Sequence, residues 1–563
     1  MSRKVVFKEL TADQVVLFPP SIGDRIAAGH PVRLVNQVVD KLQLDDLLST
    51  YKGGGTSRYH PRMLLKVLFY AYFCNIYSCR RIAQALEENI HFMWLSGNST
   101  PDFRTINDFR SKRLKNQINH LFAEVVRLLH DLKYVSLDVQ YIDGTKLEAA
   151  SNRYSFVWKG SVEKNKAKLE DKINGVLSQI KQAIREDKAH ATTPEESSRV
   201  DATQLRQKLE ELNQRLPTLG KKAQKQVKKL QEEHLPRLEK YEQQLQVLGE
   251  RNSYSKTDED ASFMRMKEDH MKNGQLKPAY NTQISTENQF ITHYSLHQRP
   301  GDVATLISHL EEFEKQHHKQ SEKVVADAGY GSEQNYEWLE EHKVEAFVKY
   351  NYFHKEQKRN FKNNFFHTQN LYYNQEQDYF VCPMGQHMEK VGEYKRKSEL
   401  GYEYSVSRYR ARCCQGCPLR GMCHKGKGER EIEVNHKLRA YRAKARERLL
   451  SEEGVQLRKR RAIEPEAVFG QLKSNNRFNR FKLRSLAKVR LEFGLAAIGH
   501  NLRKMVTTEQ RQKKAAAMAL EKAAKAIKEA SSSLVESGKL VLRAIKAKWC
   551  TLRHLSYSLQ IIA

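Results

Sequence analysis

Residues 134–158 read YVSLDVQYIDGTKLEAASNRYSFVW and alternate apolar with polar side chains. A period of two predicts two strands joined by a turn. Asp143 follows the first alternating run and precedes a glycine, so the pattern places an acid at the end of a core strand. Burying such an acid is costly unless it is paired or coordinated, and a small neighbour leaves room for a ligand. Asp143 is therefore a candidate metal ligand, with a turn-forming or capping aspartate as the alternative.

A second acid stands in the same setting further along the chain. PAYNTQIST and QFITHYSLH, after residue 277, predict a β-hairpin, and GDVATLISHLEEFEKQ predicts a helix that Asp302 can cap. KVVADAGY then predicts a strand that ends at Asp327, and VEAFVKY predicts one more strand. Strands interspersed with helices indicate an α/β fold, with Asp327 as the second candidate ligand.

Two further acids lie within a basic segment. RRAIEPEAVFGQLK, residues 460–473, holds Glu464 and Glu466, and residues 455–515 contain sixteen Lys and Arg against four Glu and no Asp. Because carboxylates repel phosphate, a metal ion is the simplest reason to keep one on a surface that binds polyanions. Pro465 suits the first position of a helix and disfavours helical geometry at the residue before it. Glu464 therefore lies at or outside the helix start, where its charge can complement the helix dipole. Glu466 is therefore the predicted ligand.

Three carboxylates on two strands and a helix form a set that suits two-metal chemistry. Such a set can hold two divalent ions about 3.5–4 Å apart, which activate a water or a 3′-hydroxyl for in-line phosphoryl transfer. Mg²⁺, or Mn²⁺ in its place, suits these ligands because it is hard and keeps positions open for phosphate. The ions would reverse the sign of the acidic site, while the surrounding Lys and Arg hold a nucleic-acid backbone.

The composition also indicates a polyanionic partner. The 563 residues carry a net charge of +30 with a calculated pI near 9.6, which favours nucleic acid. An anionic membrane surface is the alternative. However, the start of the chain lacks the apolar core of a signal peptide, and residues 63–77 are too short and too aromatic to span a bilayer. We predict a cytoplasmic, nucleoid-associated protein whose eight cysteines stay reduced.

Shifts in composition predict seven segments, with the core divided in three. The leading segment contains amphipathic helices, which form either a DNA-binding unit of the helix-turn-helix kind or a bundle that only supports its neighbour. The predicted bounds are 1–130 for this helical domain, 131–160, 256–351 and 446–508 for the core, 161–255 for a coiled-coil insertion, 352–445 for a cysteine-bearing insertion and 509–563 for a helical tail.

The coiled-coil prediction rests on a stripe of apolar residues. They recur every three or four positions, at Leu169, Ile173, Val176, Ile180 and Ile184, and again at Leu205, Leu209, Leu212, Leu216 and Leu219. Such a stripe on charged helices predicts an antiparallel hairpin that serves dimerisation or DNA contact.

Cysteines cluster in the segment before the last acid. VCPMGQH and CCQGCPLRGMC contain them, and the C-x2-C spacing followed by proline is typical of a zinc knuckle. Cys413, His387 and His424 are substitute ligands, and a loop of reduced thiols is the alternative. The preferred ligands of a structural Zn²⁺ are Cys382, Cys414, Cys417 and Cys423.

Three blocks of sequence surround the predicted acids: YIDGTKLEA, VVADAGYGSEQNY and IEPEAVFGQLKSNNRFNRFKLRSLAKVRLEFGLAAIGHNLRKM. They resemble the signature blocks of bacterial insertion-sequence transposases of the DDE type, over roughly residues 55–508. The resemblance is to a branch with a helical N-terminal domain and a cysteine-bearing insertion before the catalytic Glu. It implies a ribonuclease H-like mixed sheet flanked by helices and Mg²⁺-dependent cleavage of double-stranded DNA at transposon ends. The freed 3′-hydroxyls would then be joined to target DNA.

The resemblance also assigns roles to residues. It makes the three acids metal ligands, and Lys473, seven residues after Glu466, matches the family's basic partner. Related transposases carry an arginine four residues before the Glu, but Ala462 stands there in this chain, so either Arg460 or Arg461 takes that role. The predicted DNA contacts are Arg460, Arg461, Lys473, Arg477, Arg480 and Arg484.

We therefore expect a DNA transposase that acts as a dimer or larger assembly. One alternative is a nuclease or resolvase on the same fold that only hydrolyses DNA, and strand transfer from precut ends separates the two. The other alternative is a DNA-binding derivative without activity, which the presence of all three acids argues against.

Overall fold

The computed structural model describes residues 21–51, 58–186, 201–214, 217, 220–266 and 274–559. The chain divides into two compact units, Met1–His500 and Asn501–Ala563. All the described strands belong to the first unit, and the described part of the second is helical throughout.

In the described part of the chain, seven α-helices precede the first strand. They are α1 (Pro31–Lys41), α2 (Asp45–Ser49), α3 (Pro61–Phe73), α4 (Cys79–Glu88), α5 (Ile90–Ser96), α6 (Phe103–Asp108) and α7 (Ile118–Asp131). Proline opens α1 and α3, where its missing N–H costs nothing. α3 is buried along most of its length, as its apolar sequence predicts. The segment SCRRIAQALEENIHFMWL forms two helices, because Asn89 ends α4 and its side chain caps α5.

Strands then alternate with helices up to residue 348, and six of the strands form one mixed sheet. In chain order the elements are β1 (Val139–Glu148), β2 (Phe156–Trp158), α8 (Lys159–Glu186), α9 (Ala202–Gln214), α10 (Lys221–Lys229), α11 (Leu235–Leu248), β3 (Ser253–Ser255), β4 (Ser262–Arg265), β5 (Leu276–Glu287), β6 (Phe290–His297), α12 (Leu306–His317), β7 (Lys323–Ala326), α13 (Glu333–Glu341) and β8 (Glu345–Val348). This alternation gives the mixed α/β fold that the sequence predicts.

The central sheet has the order β4-β5-β1-β7-β8, and β6 also pairs with β5. β1 runs antiparallel to β5 and parallel to β7, and β8 is parallel to β7. The hairpin predicted after residue 277 is confirmed as β5 and β6. Its turn residues, Asn288 and Gln289, both have positive φ, which matches the right-handed twist of the strands.

The two strands predicted within residues 134–158 are present as β1 and β2, with a turn region between them, but they do not pair with each other. β1 continues through Asp143 to Glu148 and pairs with β5 on one side and β7 on the other, whereas β2 pairs with β3. Asp143 therefore lies in the middle of a central strand and not at the end of one. The hydrogen bonds to these two distant strands occupy both sides of β1, so β2 does not pair with it.

The helices α8 to α11 form an insertion between β2 and β3. Their buried side chains pack together in a cluster that includes Leu169, Ile173, Ile180, Leu205 and Leu209. Leu216, Leu219 and the side chain of Ile184 lie outside the described residues. The predicted helices and their shared apolar face are present, and the antiparallel coiled-coil geometry stays a prediction.

A second, five-stranded sheet follows the first. Two short helices and five strands make up this segment: α14 (Phe353–Glu356), α15 (Arg359–Lys362), β9 (Tyr373–Asn374), β10 (Tyr379–Val381), β11 (His387–Lys397), β12 (Glu403–Ala411) and β13 (Glu431–Val434). The strands pair antiparallel in sequence order from β9 to β13. Phe380, Met388 and Tyr409 lie in its small core.

The remaining helices are α16 (His436–Leu450), α17 (Glu452–Arg461), α18 (Pro465–Gly470) and α19 (Leu486–Leu559), with a single π-helical turn, Gln471–Asn475, after α18. Ala445 and Leu449 of α16 join the core beneath β7 and β8, and α17 packs against the same two strands. α18 packs against β1. Among the described residues, no helix is long and apolar enough to cross a membrane.

Candidate active site

The central sheet brings the two predicted aspartates together. In the parallel pairing of β1 with β7, Tyr141 lies opposite Val325, and Asp143 and Asp327 each follow two residues later. Residues two apart on a strand share a face, so the register places the two acids beside one another. Asp327 comes directly after β7, where its carboxylate accepts a 2.8 Å hydrogen bond from the backbone N–H of Gly329.

The third acid, Glu466, reaches the same place from α18. Pro465 occupies the first turn of this helix and Glu466 follows it, as the sequence predicts. Because α18 packs against β1, the Glu466 carboxylate lies near Asp143, and both bond the Arg461 guanidinium. The three acids predicted from three distant segments therefore share one site.

The side chain of Arg461 lies between all three carboxylates. Its guanidinium nitrogens are 3.0 Å from Asp143 Oδ1, 3.7 Å from Asp327 Oδ2 and 2.8 Å from Glu466 Oε1. Arg461 is the last residue of α17, and its side chain is only 8% exposed. The planar guanidinium presents several donors at once, so one cation neutralises part of the charge of three acids.

The three acids differ in their access to solvent. The Asp143 side chain is 13% exposed, whereas the Asp327 and Glu466 side chains are 41% and 51% exposed. The site is therefore closed beneath Asp143 and open on the side of the other two acids, where a large substrate can approach.

Glu464 and Arg460 face away from this site. Glu464 is 2% exposed and accepts hydrogen bonds from the backbone N–H of Gln289, at 2.7 Å, and from Arg460 Nε, at 3.2 Å. Arg460 also bonds the side chain of Asn288. Glu464 occupies the N-cap position of α18, at the helix start as predicted, but within the described residues its side chain accepts no N–H from its own helix; its dipole role stays a prediction. Glu464 ties the start of α18 to the β5–β6 turn.

Lys473 also lies close to the acids. Its ammonium donates to Thr145 Oγ1, at 2.6 Å, and to the carbonyl of Lys146, at 3.4 Å. Thr145 is two residues after Asp143 on β1 and so shares its face. The π-helical turn after α18 directs Lys473 toward this strand.

Arg477, Arg480 and Arg484, three of the five arginines predicted to contact DNA, have different surroundings. Arg480 donates to the carbonyls of Ala149 and Ser151, both at 3.2 Å, and Arg484 donates to the carbonyl of Ala150, at 2.8 Å. These two fasten the segment that leaves β1. Arg477 is exposed, and within the described residues no hydrogen bond or ion pair holds it.

Lys349 is a site residue that the sequence analysis missed. It follows β8 as Asp327 follows β7, and its backbone N–H donates to the carbonyl of Ala326. Burial lowers the pKa of Lys349, as do the charges of Arg461 and Arg458, while Asp327 and Glu466 act in the opposite sense. The signal that could have found it is its position after a strand parallel to β7.

The predicted zinc ligands line one small cavity but do not form a metal site. Cys382, Cys414, Cys417 and Cys423 all border it. Arg430 fills part of this space, with its guanidinium 2.9 Å from Cys423 Sγ and its backbone N–H 3.4 Å from Cys414 Sγ. Burial raises the pKa of the Cys414 thiol. The structure gives the zinc prediction no support.

The rest of the described chain also lacks a preformed cluster of metal ligands. Among the described residues, no three of His, Cys, Asp and Glu are arranged to hold a metal ion. At the acid site the physical reason is visible, because the Arg461 guanidinium lies among the carboxylates and supplies the positive charge there.

Two families of known proteins match this chain. Residues 381–506 match a transposase DDE domain, and residues 20–112 match the transposase domain DUF772. No curated protein and no solved structure matches it. The first match contains Arg461 and Glu466, and Asp143 and Asp327 lie upstream of it. The two transposase matches together indicate an insertion-sequence transposase of the DDE type.

Proposed function

We propose that this transposase cleaves DNA at the ends of its element and joins the freed 3′-hydroxyls to target DNA. Asp143, Asp327 and Glu466 would bind two divalent ions for this reaction. The main support for this proposal is that the three carboxylates converge on one guanidinium group. Carboxylates this close repel one another unless a cation lies among them, and their oxygen donors suit Mg²⁺ or Mn²⁺.

The strand order supports a ribonuclease H-like catalytic core. Three antiparallel strands, β6, β5 and β1, are followed across the sheet by two strands parallel to β1, namely β7 and β8. The acids come from the central strand, from the end of its parallel neighbour and from a helix packed on the sheet. This is the arrangement that the resemblance to DDE transposases implies.

The residues of the site would have different roles in this reaction. Asp143 is fixed deep in the sheet, while Asp327 and Glu466 stand on the open side that a DNA strand can reach. Lys473, held against β1, places a positive charge beside them for the DNA backbone. When bound, the divalent ions would activate the attacking water or 3′-hydroxyl and stabilise the leaving oxygen.

Strand transfer tests the function against its closest rival. Purified protein with Mg²⁺ should join a precut, radiolabelled transposon end to plasmid DNA, which a nuclease that only hydrolyses cannot do. Inverted repeats, if they are found in the DNA that flanks the reading frame, would supply the end sequence. Asp327→Asn protein is the control for metal-dependent chemistry. Hydrolysis of uncut ends without any transfer of precut ends would favour the nuclease. The joining of two element ends in one reaction also underlies our proposal that the protein acts as a dimer or larger assembly.

Arg477 is expected to contact a DNA phosphate. Arg477→Ala should lower the slope of log binding constant against log salt by about 0.9, the value for one lost phosphate contact. Arg480→Ala is the matched control, since the backbone carbonyls of Ala149 and Ser151 already hold that guanidinium. The measurement is fluorescence anisotropy on duplex DNA at several salt concentrations. An unchanged slope for Arg477→Ala, with a changed slope for Arg480→Ala, would reverse the assignment.

A further inference from the structure

A fourth carboxylate, that of Asp302, lies beside the acid site. The sequence predicts that Asp302 caps a helix, and this is wrong: α12 begins at Leu306, with Thr305 at its N-cap position and no side-chain cap. The carboxylate points instead at the central sheet. Its Oδ1 accepts hydrogen bonds from Asn281 Nδ2, at 2.8 Å, and from Gln283 Nε2, at 3.0 Å.

Two glycines leave the space that Asp302 occupies. A Cβ atom added to Gly144, the residue after Asp143, would lie 2.9 Å from Asp302 Oδ1 and would collide with the Gln283 side chain. A Cβ atom added to Gly329 would lie 3.0 Å from Asp327 Oδ1 and 3.8 Å from Asp302 Oδ2. Asp302 therefore approaches the backbone beside both catalytic aspartates, and its second oxygen is on the side of Asp327.

A buried network joins Asp302 to the turn that carries Asp327. Gln283, which bonds Asp302, accepts a hydrogen bond from the hydroxyl of Tyr330. Tyr330 ends the short turn that begins at Asp327. Burial, followed by the negative charges of Asp302, Asp143 and Asp327, raises the pKa of Tyr330, so its hydroxyl stays protonated and keeps donating.

The charge balance of the site indicates what Asp302 does. With Asp302 the site contains four carboxylates, whereas Arg461 is the cation that lies between three of them. Arg461 is itself nine-tenths buried, and within the described residues its Nε has no hydrogen-bond partner. The four carboxylates outnumber the three cationic side chains of the site, Arg461, Lys349 and Lys473, so the site attracts further positive charge.

We propose that Asp302 is a positioning residue for the divalent cations of the proposed reaction. Through Gln283 and Tyr330 it orients the turn of Asp327, and its charge strengthens the attraction of the acid site for cations. The inference rests on the proposed function, since it assumes that the acids bind divalent ions. Residues that support metal ligands in this way typically contribute 10–100-fold to metal affinity.

Titration with Mn²⁺, followed by calorimetry and by electron paramagnetic resonance, tests this role without any measurement of activity. Asp302→Asn keeps an oxygen acceptor for Asn281 and Gln283 but removes the charge, so Mn²⁺ affinity should fall about tenfold. The unfolding temperature in EDTA should not fall, because the variant relieves repulsion among the acids. Asp138→Asn is the control, since Asp138 precedes β1 and pairs with Lys319; its Mn²⁺ affinity should equal that of the parent.

The outcomes separate the two proposals. If the parent protein binds no Mn²⁺, or if Glu466→Gln binds it as well as the parent, the proposed function fails. If the parent binds Mn²⁺ and Asp302→Asn binds it within twofold of the parent, only the role of Asp302 fails. Loss of cooperative unfolding of Asp302→Asn in EDTA would assign this residue to the fold and would also overturn the inference.

Discussion

Glu466→Gln should lose Mg²⁺-dependent cleavage of a transposon end by on the order of 10³-fold or more, while Glu464→Gln keeps most of it. Glu466 is half exposed and shares a guanidinium with Asp143 and Asp327. Removing its charge would delete a proposed metal ligand from the open side of the site. DNA binding should persist, because the basic surface is unchanged.

Glu464→Gln is the matched variant, two residues away in the same short segment. The Glu464 carboxylate is buried against the backbone N–H of Gln289 and the side chain of Arg460. Glutamine keeps an acceptor for that N–H, so we expect a loss of about 1–2 kcal/mol in unfolding free energy and little effect on cleavage rate. The measurement is a single-turnover cleavage assay, with anisotropy to verify DNA binding. The reverse pattern would move the active-site acid two residues upstream.

Arg461→Gln should lower the unfolding free energy in EDTA by about 2–4 kcal/mol, and Mg²⁺ should restore much of it. Removing one partner of a buried ion pair typically costs about 3–5 kcal/mol. We expect somewhat less here, because Asp327 and Glu466 are partly exposed and solvent screens their charges. Without the guanidinium, the three carboxylates repel one another until divalent ions take its place, and an ion that binds only the folded state stabilises it.

Urea unfolding with EDTA and with Mg²⁺ measures this effect. The Mg²⁺-dependent gain should be larger in Arg461→Gln than in the parent. Arg460→Gln is the control, since Arg460 bonds Glu464 and Asn288 and faces away from the acids. Its loss of stability should be the same with and without Mg²⁺. An equal Mg²⁺ response in both variants would show that the guanidinium does not compete with cations at the acid site.

Short-range patterns in the sequence were enough to identify several parts of this protein. The alternation around Asp143 and the run before Asp327 located two strands of the central sheet, and the β5–β6 hairpin was found from its apolar pattern. Pro465 separated Glu466 from Glu464, because a proline restricts the residue before it and favours the first turn of a helix. These features depend on residues that are close in the sequence, so the sequence alone predicts them.

The tertiary structure decided the features that depend on distant partners. β1 pairs with β5 and β7 and not with β2, which follows it in the sequence. The hydrogen bonds to these two distant strands occupy both sides of β1. Arg460 and Arg461 are adjacent and identical in type, and only the packing of α17 on the sheet turns Arg461 toward the acids. Asp302 does not cap a helix as expected, because its carboxylate accepts hydrogen bonds from two buried side-chain amides on β5. In each case the contact is with a side chain or a strand that is distant in the sequence, and local propensity does not depend on such partners.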